Sequence, residues 1–143
     1  MTGHRAYGSA ALRLVIAAAV SLAVVAEAAP AKQSLRDVKP IDDGLFEIAL
    51  ADQIRKKCPE VSPRLMRAYG ALRALEQEAR ALGYTTAEIE SFVESDVEKA
   101  RMRKRETAYF KARGIRQDAS GYCRLGRQEI ERDTGTGRLL RLK

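Results

Sequence analysis

Residues 62–83, SPRLMRAYGALRALEQEARALG, decide the fold class. Leu65, Ala68, Tyr69, Leu72, Leu75, Ala79 and Leu82 recur in steps of three and four, which gathers them on one face of an α-helix. Ser62-Pro63 offers a cap followed by proline at the first helical position, and Gly83 offers a stop. No stretch around it alternates apolar and polar residues with β-branched side chains, so no strands are predicted.

Upstream, Phe46, Leu50, Ile54 and Cys58 recur every four positions, widened by Leu45 and Ala49. Asp42 or Asp43 can cap this helix, Lys56 and Lys57 suit the negative end of its dipole, and Pro59 ends it. Residues 29–41 hold Pro30, Pro40 and mixed charges without apolar periodicity, and read as a flexible N-terminal arm. Downstream, Thr85-Thr86-Ala87-Glu88 forms a capping box for a helix bearing Ile89, Phe92, Val93, Val97 and Ala100 and running on to Gly114. At about 1.5 Å per residue that helix exceeds ~40 Å, so after Ala100, where the apolar positions shift to Met102, Tyr109 and Phe110, either a bend or a distal half packed on a different neighbour is expected. Asp118 or Ser120 can start a fourth helix through Tyr122, Cys123, Leu125 and Ile130. Asp133 to Gly137 breaks it, and Arg138 to Lys143 is expected to form a final turn burying Leu139 and Leu140. The expectation is an all-α, small four-helix bundle-like domain over residues 42–143 with one long third helix.

The first 28 residues carry a different pattern. Arg5 and Arg13 flank a polar start, Leu14 to Val25 is apolar, and Ala26-Glu27-Ala28 places small residues at alternate positions. This is a secretory signal with cleavage expected after Ala28, since cutting one residue later would leave Pro30 beside the scissile bond. The apolar run is short of the roughly 20 residues needed to span a bilayer, and no later stretch spans one. The product is expected to be exported, with the periplasm the first location and release from the cell the alternative. Cys58 and Cys123 are an even pair in an oxidising compartment and are expected to form one disulfide. That bond would staple the end of the first helix to the start of the fourth.

Composition narrows the chemistry. The only histidine, His4, lies inside the signal, so the remaining chain lacks the commonest general base near neutral pH and the commonest metal ligand. No catalytic motif, cofactor or metal site is read, and the chain is taken as non-enzymatic. Formal charge is +7 overall, but residues 29–98 carry 10 Lys/Arg against 13 Asp/Glu, whereas 99–143 carry 14 against 5. The basic run Arg101, Arg103, Lys104, Arg105, continued by Lys111, Arg113 and Arg116, is the sharpest local feature. It could contact lipid head groups, lipopolysaccharide, an anionic wall polymer or an acidic protein. Consecutive helical residues point about 100° apart, so the run cannot all face one ligand. Export argues against nucleic acid. Glu88, Glu90, Glu94, Asp96 and Glu98 precede the run, and pairing of this acidic stretch with the basic part of another copy is a route to self-association.

The segments IDDGLFEIALADQIRKKCPEVS (41–62), ALGYTTAEIESFVESDVEKARMRKRE (81–106) and GYCRLGRQEIERDTGTGRLLR (121–141) resemble a family of small exported alphaproteobacterial proteins defined only as a domain of unknown function. The contexts KKCP and GYCRLGR are the most specific parts. The resemblance implies an exported, disulfide-linked helical domain and supplies no catalytic or binding residue. The functional expectation is a binding module of the cell envelope that uses its basic C-terminal part. The alternative is a periplasmic stress chaperone, by analogy of class with small helical acid-stress chaperones. A third class is a small cell-wall hydrolase, which needs only two carboxylates, for example Glu47 and a residue of the long helix.

Overall fold

The computed structural model describes residues 31–143, and the expected signal with its cleavage after Ala28 lies outside them. The chain runs as a single 3-10 turn, Leu35–Asp37, then α1 (Lys39–Lys57), β1 (Val61–Pro63), α2 (Leu65–Ala81), α3 (Thr86–Glu94), α4 (Asp96–Ala112), α5 (Ala119–Glu131), α6 (Gly135–Arg138) and β2 (Leu140–Leu142). The domain is helical and carries one disulfide, Cys58–Cys123, as the sequence led one to expect.

The core forms where the four-residue stripe of α1 meets α4 and α5. Phe46, Leu50 and Ile54 pack with Phe110, Tyr122 and Leu125, all nearly fully buried. Gly126 lets α5 approach α1, because a Cβ there would stand 2.7 Å from the Ile54 side chain. Cys58, at the C-terminal cap of α1, reaches Cys123 in the second turn of α5, closing 65 residues of chain. A smaller cluster of Leu35, Ile41 and Ala79 sits beneath α3.

Several boundaries differ from expectation. The segment read as an unstructured arm starts α1 at Lys39, because Leu35 and Ile41 are both drawn into the smaller cluster and Pro40 has its φ preset for a first helical turn. Asp42 and Asp43 therefore fall inside α1 and are not its cap, which is Val38. Ser62 and Pro63 do not open α2. They belong to β1, paired antiparallel with β2 through Val61↔Leu142, Ser62↔Arg141 and Pro63↔Leu140. These strands were not predicted; three-residue strands carry too few positions to show alternation. Leu139 and Leu140 are buried as expected, Leu139 as the C-cap of the short helix α6 and Leu140 as the first residue of β2.

The expected long third helix is two helices. Ser95 leaves helical geometry at φ −57° and ψ 126°, and its hydroxyl accepts from the Glu98 amide to start α4. The reason is phase. Ile89 and Phe92 face the cluster beside α1 and α2, while α4 must aim Met102, Glu106 and Phe110 at the main core. Continuing one rod from 92 would bring 96, 99 and 103 to that face, so the chain restarts at Ser95. At the other caps, Thr85 and Glu88 form the expected box, and Asp118 accepts from the Gly121 amide at 2.8 Å.

Candidate functional site

Helix α4 distributes its basic run around its circumference. Arg101 and Arg105 turn inward, where Arg101 pairs with Asp42 and with Glu98 at 2.8 Å, and Arg105 holds Asp42 at 2.8 Å and Asp43 at 2.5 Å. The Arg105 guanidinium also lies 4.2 Å from the centre of the Phe46 ring. Asp43 is held below the ordinary carboxylate range by hydrogen bonds from Lys39 and then Arg105. Burial pushes Glu98 up, but hydrogen bonds from Arg101 and Arg36 outweigh it and the net shift is downward. Hydrogen bonding to Asp42, opposed by burial and helped by Glu98, raises Arg101. Arg113 stacks 3.3 Å from the Tyr109 ring centre with its Nε buried 3.7 Å from Glu129. Arg116 is exposed and pairs with Asp118 at 2.9 Å.

The seven basic positions therefore do not form one surface. Arg101, Arg105 and Arg113 hold the domain together. Arg103, Lys104 and Lys111 are exposed and form no ion pair among the described residues. Lys104 and Lys111 are seven residues apart, on the same side of α4 as Val97, which is 68% exposed. Arg103 shares its side with Lys99, four residues earlier, and both line a groove of about 630 Å³ between α1 and the α3–α4 pair.

That groove has an apolar floor and a charged rim. Leu45, Phe46, Leu50, Phe92 and Met102 line it, with Lys56, Lys57, Lys99 and Arg103 at its polar positions. Its acids are engaged: Asp52 with Arg55 and Lys56, Glu98 with Arg36 and Arg101. Glu106, buried, accepts the Tyr122 hydroxyl at 2.6 Å, and that hydroxyl in turn accepts from Lys57 at 3.1 Å and Gln117 at 3.0 Å. Leu45, Phe92 and Val93 also line a second, mostly apolar cleft of about 240 Å³ between α2 and α3, bordered by Glu76, Glu90 and Glu94.

Glu47 faces neither α3 nor α4 carboxylates. It lines a cleft of about 270 Å³ with Glu129 of α5. Glu129 accepts from the Tyr109 hydroxyl at 2.9 Å and the Thr134 hydroxyl at 2.5 Å. Burial, reinforced by Glu129, pushes the Tyr109 phenol up to about 12, so it stays protonated as a donor. In the acidic stretch, Glu88 accepts from Lys32 at 2.8 Å and completes the capping box with Thr85, and these hydrogen bonds, that from Lys32 first, hold it down to about 2. Among the described residues the grouping suited to a metal, Cys58, Glu60 and Cys123, has its two sulfurs joined in the disulfide.

Sequence reading missed Lys99 as a partner of Arg103, although the four-residue spacing was its signal, and missed Leu45 and Phe92 as a shared floor. It also did not foresee that Asp42 would neutralise two arginines some sixty residues away. No helix among the described residues is long and apolar enough to cross a membrane. Residues 33–141 match the sequence model of a family described as of unknown function, DUF5333. No curated protein and no solved structure matches the chain.

Proposed function

We propose that this chain, which belongs to the family of unknown function DUF5333, is an exported, non-enzymatic binding module of the cell envelope whose partner is an anionic lipid surface. One observation carries the reading: Lys104 and Lys111 lie exposed and without a carboxylate partner among the described residues, on the face of α4 that also exposes Val97. Cations beside an exposed apolar side chain suit a lipid head-group region better than a wall polymer, which offers charge alone. The signal pattern of residues 1–28 and the disulfide support an oxidising, extracytoplasmic location, the periplasm first and release from the cell second. The partner is not nucleic acid on this reading.

The test is sedimentation of the oxidised protein with anionic vesicles, neutral vesicles and peptidoglycan sacculi at low and high salt. Salt-sensitive pelleting with anionic vesicles alone is the expected result, and the Lys104→Glu/Lys111→Glu variant is expected to lose it. Equal pelleting with neutral vesicles, or none at all, overturns the reading.

The outward face of α2 supports a chaperone as a second reading. Leu65, Met66 and Tyr69 are 70%, 82% and 58% exposed, although they belong to the apolar side of an amphipathic helix. Exposed apolar side chains on a small domain mark contact sites for other proteins. Suppression of client aggregation, lost in Leu65→Asp/Met66→Asp, would favour it.

A further inference from the structure

The two clefts on either side of Leu45 share a floor and differ in the charged groups that line them. Leu45, Phe92 and Val93 line both. The α2–α3 cleft is walled by Leu72, Leu75 and Ile89, and its charged lining residues are Glu76, Glu90 and Glu94, of which Glu76 is paired with Arg80 at 2.7 Å. The α1–α4 groove is lined by Lys57, Lys99 and Arg103, its acids Asp52, Glu98 and Glu106 are engaged by other groups, and neither Lys99 nor Arg103 has a carboxylate partner among the described residues. A ligand spanning both must be apolar along most of its length and anionic at one end. The charges fix its direction, because an anion placed in the α2–α3 cleft would face Glu90 and Glu94, neither of which has an ion-pair partner among the described residues.

We infer that these clefts hold one long-chain fatty acid, its carboxylate between Lys99 and Arg103 and its acyl chain over Leu45 and Phe92 into the α2–α3 cleft. The fork of Arg103 can bind a carboxylate through two parallel hydrogen bonds, and Lys99 adds a point charge beside it. Groove volumes of this order suit one small-molecule ligand. Helix α3 contributes no fully buried residue, so its Phe92 and Val93 are free to settle on an inserted chain. This inference rests on the anionic-partner reading above, but it uses Lys99, Arg103 and the apolar floor, whereas vesicle contact uses Lys104 and Lys111.

The experiment is calorimetric titration of the protein, expressed from its full sequence and oxidised, with monomeric octanoate, decanoate, dodecanoate, dodecanol and butyrate. One-to-one binding of dodecanoate is expected, rising about two- to fourfold for each added methylene. Lys99→Gln/Arg103→Gln is expected to weaken dodecanoate about tenfold and leave dodecanol unchanged. Leu72→Gln is expected to weaken dodecanoate while salt-sensitive vesicle pelleting persists. Lys104→Glu/Lys111→Glu is expected to abolish pelleting and retain dodecanoate. Butyrate binding as tightly as dodecanoate, dodecanol binding as tightly as dodecanoate, or no dodecanoate binding would each overturn the inference. Pelleting without dodecanoate binding removes the fatty-acid site alone, and dodecanoate binding without pelleting removes the lipid-surface reading alone.

Discussion

Tyr122 shows how much of this domain hangs on single polar atoms. Its ring packs at 4.7 Å from Phe110 in the core, and its hydroxyl is the only donor to the buried Glu106 carboxylate among the described hydrogen bonds. Tyr122→Phe keeps the ring and strips that donor. The expected loss is about 1–3 kcal/mol in urea unfolding, the cost of a buried acceptor left unpaired. The arginines of α4 make a sharper contrast. Arg105→Ala should cost about 2 kcal/mol because it bonds two carboxylates of α1, whereas Lys104→Ala should stay within about 0.5 kcal/mol. Asp43 and Glu98 are among the carboxylates that contribute to the pH dependence. Their folded values lie below the unfolded ones, so the stability they contribute is complete above the ordinary carboxylate range, about 4, and drains away as pH falls through the folded values. Acid titration of the urea midpoint should show this fall, and Arg101→Gln should flatten it.

Among the elements, α3 is the most loosely held, since it has no fully buried residue and depends on its cap. Thr85→Ala removes the side-chain half of the capping box and should cost about 1 kcal/mol. The accompanying loss of amide-exchange protection should be confined to α3; loss spread into α4 would mean the two helices open as one. Their separation at Ser95 was only half legible. The shift of apolar positions along the third helical stretch was visible, but its location was read after Ala100. Three side chains per turn define a face only over several turns, so the break was displaced by about one turn. Helix α2 presents the reverse case. Its periodicity was plain, yet only Ala79 is fully buried, because packing on α1 and on the small cluster uses the side bearing Ala68, Leu75 and Ala79. Periodicity identifies an apolar face without saying what covers it.

At the scale of the whole molecule, the disulfide is the covalent cross-link, bridging 65 positions. Cys58→Ser/Cys123→Ser should lower stability by about 2–5 kcal/mol, measured by denaturant unfolding without reductant. The basic C-terminal part is not one surface but a set of internal clamps with a few cations left over, and the functional proposals rest on those left over. Helical class, the Thr85 cap, the Asp118 cap as one of two candidates with Ser120, the burial of Leu139 and Leu140 and the Cys58–Cys123 pairing were all readable from the amino acids alone. Each follows from local spacing, or from there being two cysteines and no other partner. Which arginines are spent, where Val61 meets Leu142 and which clefts share Leu45 were decided only by tertiary structure. Each depends on residues tens of positions apart meeting in space, and nothing in the local spacing of either partner records the meeting.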